Sequence, residues 1–172
     1  MTAEILRNEG GFVDNPSDAG RATNFGITEG FLASHRADFG NAQSVRDITQ
    51  QQAAASYVKY FFDAAHFNLL PNVANLQMQL YDMAVNMGVR YSDGETEATK
   101  VLQHALGIAV DGELGQGTIH ALMAAIAAHG AQAINNAVVN ARIHFYNVIA
   151  QEHPEDQVFL AGWTNRANKY RV

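Results

Sequence analysis

The 172-residue chain has no cysteine, so no disulfide braces the fold and neither reducing nor oxidising surroundings are excluded. Proline is scarce at 3 residues while hydrophobic residues make up 48%, a balance that excludes disorder and suits an ordinary globular core. Positive charge is also short. Against 17 acidic residues stand 11 Lys and Arg, and the net charge of −6 argues against a nucleic-acid partner and gives no support to simple electrostatic capture by anionic polymers. No long apolar run exists. The best candidate, residues 121 to 139, is interrupted by His129, Gly130, Gln132, Asn135 and Asn136, so no membrane anchor is expected. The N-terminus lacks the basic region and apolar run of a secretory signal, which predicts synthesis in the cytoplasm without one. The 7 histidines show no H-E-x-x-H spacing, and no G-x-S-x-G, phosphate-binding loop or Cys-His pair occurs. Neither a metal nor a cofactor is expected.

What is present is concentrated near the start. Residues 2 to 9 read as a short helix with Ile5 and Leu6 on its apolar side, stopped by Gly10-Gly11, since glycine accepts the left-handed conformation that closes a helix. Glu9 therefore ends a helix, where the macrodipole disfavours a carboxylate and raises its pKa. A carboxyl group kept protonated near neutral pH is what a general acid needs. Without further support, such a Glu is simply a solvated helix end. Asn15-Pro16 and Asp18-Ala19-Gly20 are turn formers, so an irregular loop or small hairpin folds back and places Asp18, Thr23 and Asn24 near Glu9.

The order Glu9, Asp18, Thr23 resembles phage-type lysozymes. The string Glu9-Gly10-Gly11, Pro16, Asp18, Gly20 and Ala22-Thr23-Asn24-Phe25-Gly26-Ile27-Thr28 resembles glycoside hydrolase family 108, the N-acetylmuramidases. Phe12 stands where that family has Tyr, Asp14-Asn15 reverses its usual order, and Arg21 replaces a Gly, where positive φ would be strained. The resemblance implies a lysozyme-like fold and cleavage of the β-1,4 bond between N-acetylmuramic acid and N-acetylglucosamine. Glu9 would be the general acid, Asp18 and Thr23 its catalytic partners, and Asn24, Phe25 and Asn86 substrate contacts. It further implies peptidoglycan glycan strands as partner and action at the bacterial wall or periplasm. Release through a holin-like pore would follow, either for phage lysis or for wall opening linked to secretion. A lytic transglycosylase and a non-catalytic wall-binding or secretion-accessory protein are the rival readings.

Along the rest of the chain, Thr28 caps a helix to Arg36 that stops near Gly40, and residues 41 to 47 connect. Thr49 and Gln52 form a capping box that opens a helix to about Ala65. Its rings Tyr57, Tyr60, Phe61 and Phe62, together with Phe67, are core or cleft lining. A buried helix follows Pro71-Asn72 and carries Leu76, Leu80, Met83, Ala84 and Met87 at helical spacing. Asp82 reads as a structural carboxylate bonded to backbone, and Asn86 as a residue reaching the cleft. A helix from Gly94 ends at Gly107. The turn Asp111-Gly112-Glu113-Leu114-Gly115-Gln116-Gly117-Thr118 expects unusual dihedrals at Gly112 and Gly115 and a Thr118 cap. It is similar to the turn of small peptidoglycan-binding modules, although mechanics alone explains it. Two more helices follow, the second with Ile134, Val138, Ala141, Phe145 and Val148 inward. Trp163 is expected to plug the core and Arg166 to pair an acid. The fold expected is an all-α, lysozyme-like single domain with a small irregular or β-hairpin insertion near residues 12–28. A catalytic part (1–90) is followed by a helical peptidoglycan-binding-like segment (91–172).

Overall fold

A computed structural model describes residues 2–14 and 22–172, with the side chains of Glu4, Asn8, Glu9 and Asp14 outside the description. The expected turns at 15–20 and the backbone at Arg21 lie outside the described residues. The architecture is helical with one small sheet, as expected. Contacts group the chain into two compact units, 1–60 and 61–172.

In the first unit, α1 (Thr2–Glu9) buries Ile5 and Leu6 and packs against α3 (Gln50–Tyr57). It ends where expected, because Gly10 takes φ +80° and its N–H donates to Leu6 O at 3.2 Å. Strands β1 (Val13–Asp14), β2 (Ala22–Asn24) and β3 (Ile27–Thr28) then form an antiparallel sheet in that order. Thr23 lies opposite Val13 on one side and Thr28 on the other. The turn from β2 to β3 has Phe25 at φ 51° and Gly26 at φ 76°, the left-handed pair of a type I′ hairpin.

Thr28 caps α2 (Glu29–Ser34), its Oγ1 accepting from the Phe31 N–H at 3.1 Å. The helix stops two residues short of Arg36. His35 leaves helical geometry at φ −129°, and the chain tightens into a 3₁₀ turn, Arg36–Phe39, closed by left-handed Gly40. The expected connection before residue 47 also holds a 3₁₀ turn, Val45–Asp47, which Ser44 caps. The Thr49–Gln52 capping box forms as read: the Thr49 N–H donates to Gln52 Oε1 at 2.8 Å, and the Gln52 N–H to Thr49 Oγ1 at 3.2 Å. Beyond α3 the helix does not continue regularly to Ala65. It widens into a π-helical stretch, Val58–Asp63, where a β-branched residue and three consecutive rings crowd an α-helical turn.

The second unit is built on α4 (Ala74–Met87), α5 (Glu97–Leu106), α6 (Gln116–His129), α7 (Ala131–Glu152) and α8 (Gln157–Asn168). Leu76, Leu80, Met83 and Ala84 are buried as expected, while Met87 is only partly covered. Asp82 is fully buried, but its partners are not backbone. Arg142 Nη2 donates to Oδ2 at 2.7 Å, and Arg166 donates through Nη2 at 2.8 Å and Nε at 3.1 Å to Oδ1. The acid expected for Arg166 is therefore Asp82. On α7, Ile134 and Val138 are buried, but the stripe then passes through Arg142, Tyr146 and Ala150, leaving Ala141, Phe145 and Val148 half-buried. A seven-residue pattern drifts by about 20° per repeat on a straight helix, which moves the inward face across this length. Trp163 is half-buried rather than a core plug.

The 111–118 turn is held by Gln103. Its Oε1 accepts from the N–H groups of Asp111 and Gly112 at 3.1 and 2.9 Å, and its Nε2 donates to Asp111 Oδ1 and Thr118 Oγ1 at 2.6 and 3.1 Å. Gly112 is left-handed at φ +81°. The expectation for Gly115 and Thr118 is corrected. Gly115 is extended (φ −91°, ψ 179°) and occupies the N-cap of α6 itself, while Thr118 sits inside the first turn.

Three outcomes follow for stability. Gly112→Ala should destabilise by well over about 1 kcal/mol, since positive φ is compounded by a Cβ placed 2.5 Å from Glu95 Cγ. Gly115→Ala should cost less than Gly112→Ala, since φ is negative and nothing lies within 4 Å of its Cβ, and the weaker N-cap preference of Ala is offset in part by the lost freedom of the unfolded chain. Asp82→Asn leaves two guanidinium groups without their counter-charge and should cost about 3 kcal/mol or more. Urea unfolding of the three variants checks all of these.

Candidate active site

Glu9 is the last residue of α1, and the chain passes from it through Gly10 into the sheet, so the helix end and the hairpin belong to one unit. Thr23 lies half-buried in the middle of β2. Phe25 follows in the hairpin turn, half-buried, with its carbonyl accepting from the Tyr57 hydroxyl at 2.8 Å. That bond pins the tip of the hairpin to α3. Asp18 lies outside the described residues, and of Glu9 only the backbone is described.

Asn24, expected to contact substrate, is placed differently. It is 7% exposed, and its Nδ2 donates to the carbonyls of Val45 and Ile48 at 2.9 and 3.2 Å. Both amide protons are spent on the 45–48 segment, so its geometry is that of a scaffold residue. Glu29 works beside it: Oε1 accepts from the Ser44 hydroxyl and the Val45 N–H, both at 3.1 Å. The sequence signal for Glu29 is its position just after the Thr28 cap. Nothing local distinguishes Asn24, whose partners lie more than twenty residues away.

The rings divide between the two readings. Tyr57 and Phe67 are buried, and Phe62 packs on Phe67 and Tyr81 with centroids at 6.0 and 5.3 Å, all core roles. Tyr60 instead joins an exposed polar cluster. It donates to Asp38, which also takes Lys59 Nζ at 2.7 and 2.8 Å, and it stacks edge-on to Phe31 and His35. Lys59 and Tyr60 together hold the Asp38 carboxyl below its ordinary range, while burial and then Asp38 push the Tyr60 hydroxyl up. Asn86 belongs to the second unit. It is exposed at the end of α4, and its Nδ2 donates to the Asp82 carbonyl. Among the described residues no group of three His, Asp or Glu side chains is arranged to hold a metal.

The family model of glycosyl hydrolase 108 matches residues 2–88, which takes in α1, the sheet and all of α4. The chain belongs to this family. As a family 108 protein it is a glycoside hydrolase and a peptidoglycan hydrolase, acting at the cell wall. A second model, a predicted peptidoglycan domain, matches residues 97–168 and supports binding to that polymer. A solved structure, that of Brucella abortus SagA, is similar at 28% identity with a TM-score of 0.68, covering 98% of this chain and 88% of that one. No curated protein matches the chain.

In this family 108 chain, Asn24→Ala should act on stability. Two buried carbonyls lose their donors, at roughly 1–3 kcal/mol for each unsatisfied group, so thermal unfolding should fall by several degrees. An unchanged melting temperature with a raised KM would return Asn24 to the substrate.

Proposed function

We propose that this peptidoglycan hydrolase is an N-acetylmuramidase that cuts the β-1,4 bond between N-acetylmuramic acid and N-acetylglucosamine, with Glu9 as general acid. The observation that carries this reading is that α1 ends on Glu9 itself, with Gly10 left-handed behind it. The last residue of a helix sits in the field of the macrodipole's negative end, which in general disfavours a charged carboxylate there. Proton transfer from Glu9 to the glycosidic oxygen releases the leaving sugar and puts oxocarbenium-like charge on the ring that stays. Asp18 orients the attacking water or steadies that charge, and Thr23 on β2 is the third catalytic partner. Phe25 and Asn86 contact the glycan, with Asn24 holding the hairpin that presents Phe25. The catalytic part spans 1–90, and 91–172 keeps the enzyme on the wall. The setting is the bacterial wall or periplasm, reached through a holin-like pore during phage lysis or secretion.

Glu9→Gln should keep the circular dichroism of the parent and lose at least about a hundredfold in wall-clearing rate. A variant that clears wall at near parental rate rejects Glu9. Mass spectrometry of the parental digest should show reducing ends. Ends in the 1,6-anhydro form would instead make the enzyme a transglycosylase, and intact glycan would make it a binder. Asp18→Asn should slow lysis while leaving the melting temperature in place.

A further inference from the structure

We propose that the second unit carries a saccharide subsite of its own, a cavity of about 390 Å³ bounded by α4, α7 and α8 that takes one N-acetylhexosamine residue of the glycan strand. The proposal rests on the reading of the chain as a glycan hydrolase and names residues that hold its substrate. The volume falls within the range of small-ligand sites, roughly 300–1,000 Å³. The lining has the mixture a pyranose needs. Trp163 and Tyr146 supply rings for the apolar C–H surface of the sugar, Asn86, Asp156 and Arg166 supply hydrogen-bonding groups, and Met87 and Ile149 supply apolar wall for an acetyl methyl. A second cavity between α5 and α7, about 270 Å³, is lined by Val101, Val110, Phe145 and Val148 together with Glu97, Lys100, His104 and His144, and has no indole or phenol ring for the face of a sugar.

The rings and Arg166 are held before any ligand arrives. The Trp163 indole packs on Tyr146 at 5.4 Å and on Phe159 at 5.9 Å, and Tyr146 is itself held by a 2.7 Å bond from Arg142 Nε. Arg166 is held in place by its contacts to Asp82. Such preorganisation lowers the ordering cost of binding. Asp156 stands at the N-cap of α8, where an acid ordinarily caps, yet its side chain makes no capping bond. Charge selects a neutral sugar over the acidic peptide stem. The Arg166 charge is already met by Asp82, Asp156 adds a negative group to the rim, and the chain as a whole carries −6. The predicted peptidoglycan domain covers Phe145, Tyr146, Ile149, Asp156, Trp163 and Arg166, so this cavity gives that match a concrete place.

Trp163 is the single tryptophan of the chain, so its emission reports on this cavity alone. The test titrates the full chain in the Glu9→Gln background with chitotetraose, a neutral β-1,4-linked N-acetylglucosamine oligomer without peptide. A saturable change in emission is expected, and Asp156→Ala should weaken it by about tenfold or more, as loss of a hydrogen bond to a charged group does, with the melting temperature unchanged. Calorimetry on Trp163→Phe should show the same loss, a readout that needs no fluorescence. Silence with chitotetraose overturns the proposal, as does a response confined to the free peptide stem, which would make the cavity a peptide site. Emission changes that Asp156→Ala and Trp163→Phe leave at parental affinity also overturn it. Failure here is distinct from failure of the muramidase reading. Glu9-dependent reducing ends with a silent Trp163 reject the subsite alone, whereas saturable binding without parental cleavage supports the subsite and rejects the catalytic assignment.

Discussion

One carboxylate holds the second unit together. Asp82 on α4 is fully buried and meets Arg142 of α7 and Arg166 of α8, so a single side chain ties three helices. Burying these charges costs several kcal/mol per ion, which good geometry and further hydrogen bonds offset. Here the bonds are short, Arg166 is bidentate, and Arg142 passes a further donor to the Tyr146 hydroxyl. Net stabilisation is not the gain. What the arrangement supplies is register: with Asp82 fixed, α7 and α8 have one rotation each, and Tyr146 and Trp163 follow from it. Burial pushes the Tyr146 hydroxyl pKa up although Arg142 works in the other direction, so the ring stays a neutral partner.

The first unit solves a different difficulty. Its sheet has strands of two or three residues, too short to be stable by their own ladder. Side chains from elsewhere supply the missing bonds. Asn24 reaches the carbonyls of Val45 and Ile48, Tyr57 reaches that of Phe25, and Glu29 takes the Val45 N–H. The hairpin is thereby clamped from the 44–48 segment and from α3. A helix end and a clamped hairpin in one unit are the setting that the proposed acid requires.

Much of this was legible because its causes are local. Thr28, the Thr49–Gln52 box, Gly10 and Gly107 act on their own neighbours, and the expected boundaries at these points stand. The buried face of α4 was equally plain from spacing. Misreadings arose where a residue answers to distant partners. Asp82 looked like a backbone ligand because nothing near it announces two arginines from 60 and 84 residues on. Asn24 looked like a substrate contact because its acceptors lie 21 and 24 residues away. Gly115 shows the opposite error. A glycine in a turn suggested a left-handed backbone, but the extended N-cap it forms would accept other residues, and Gly112 alone carries the strain. Trp163 was expected to plug the core, whereas it is half-buried and lines a cavity.

Gly130 decides whether α6 and α7 run on as one rod. No Cβ there would touch anything, so the residue matters only for its φ of +87°, which turns α6 against α7 by 119°. Laid end to end, the two helices are apolar enough to pass as a membrane span, yet no single helix among the described residues does so. A bilayer-spanning rod needs about 20 apolar residues in one line. Folded at Gly130, the same residues form two arms, of which α6 buries Thr118, Ile119 and Leu122 and leaves most of its length to solvent. One backbone angle thus breaks what length and composition alone would pass as a single rod.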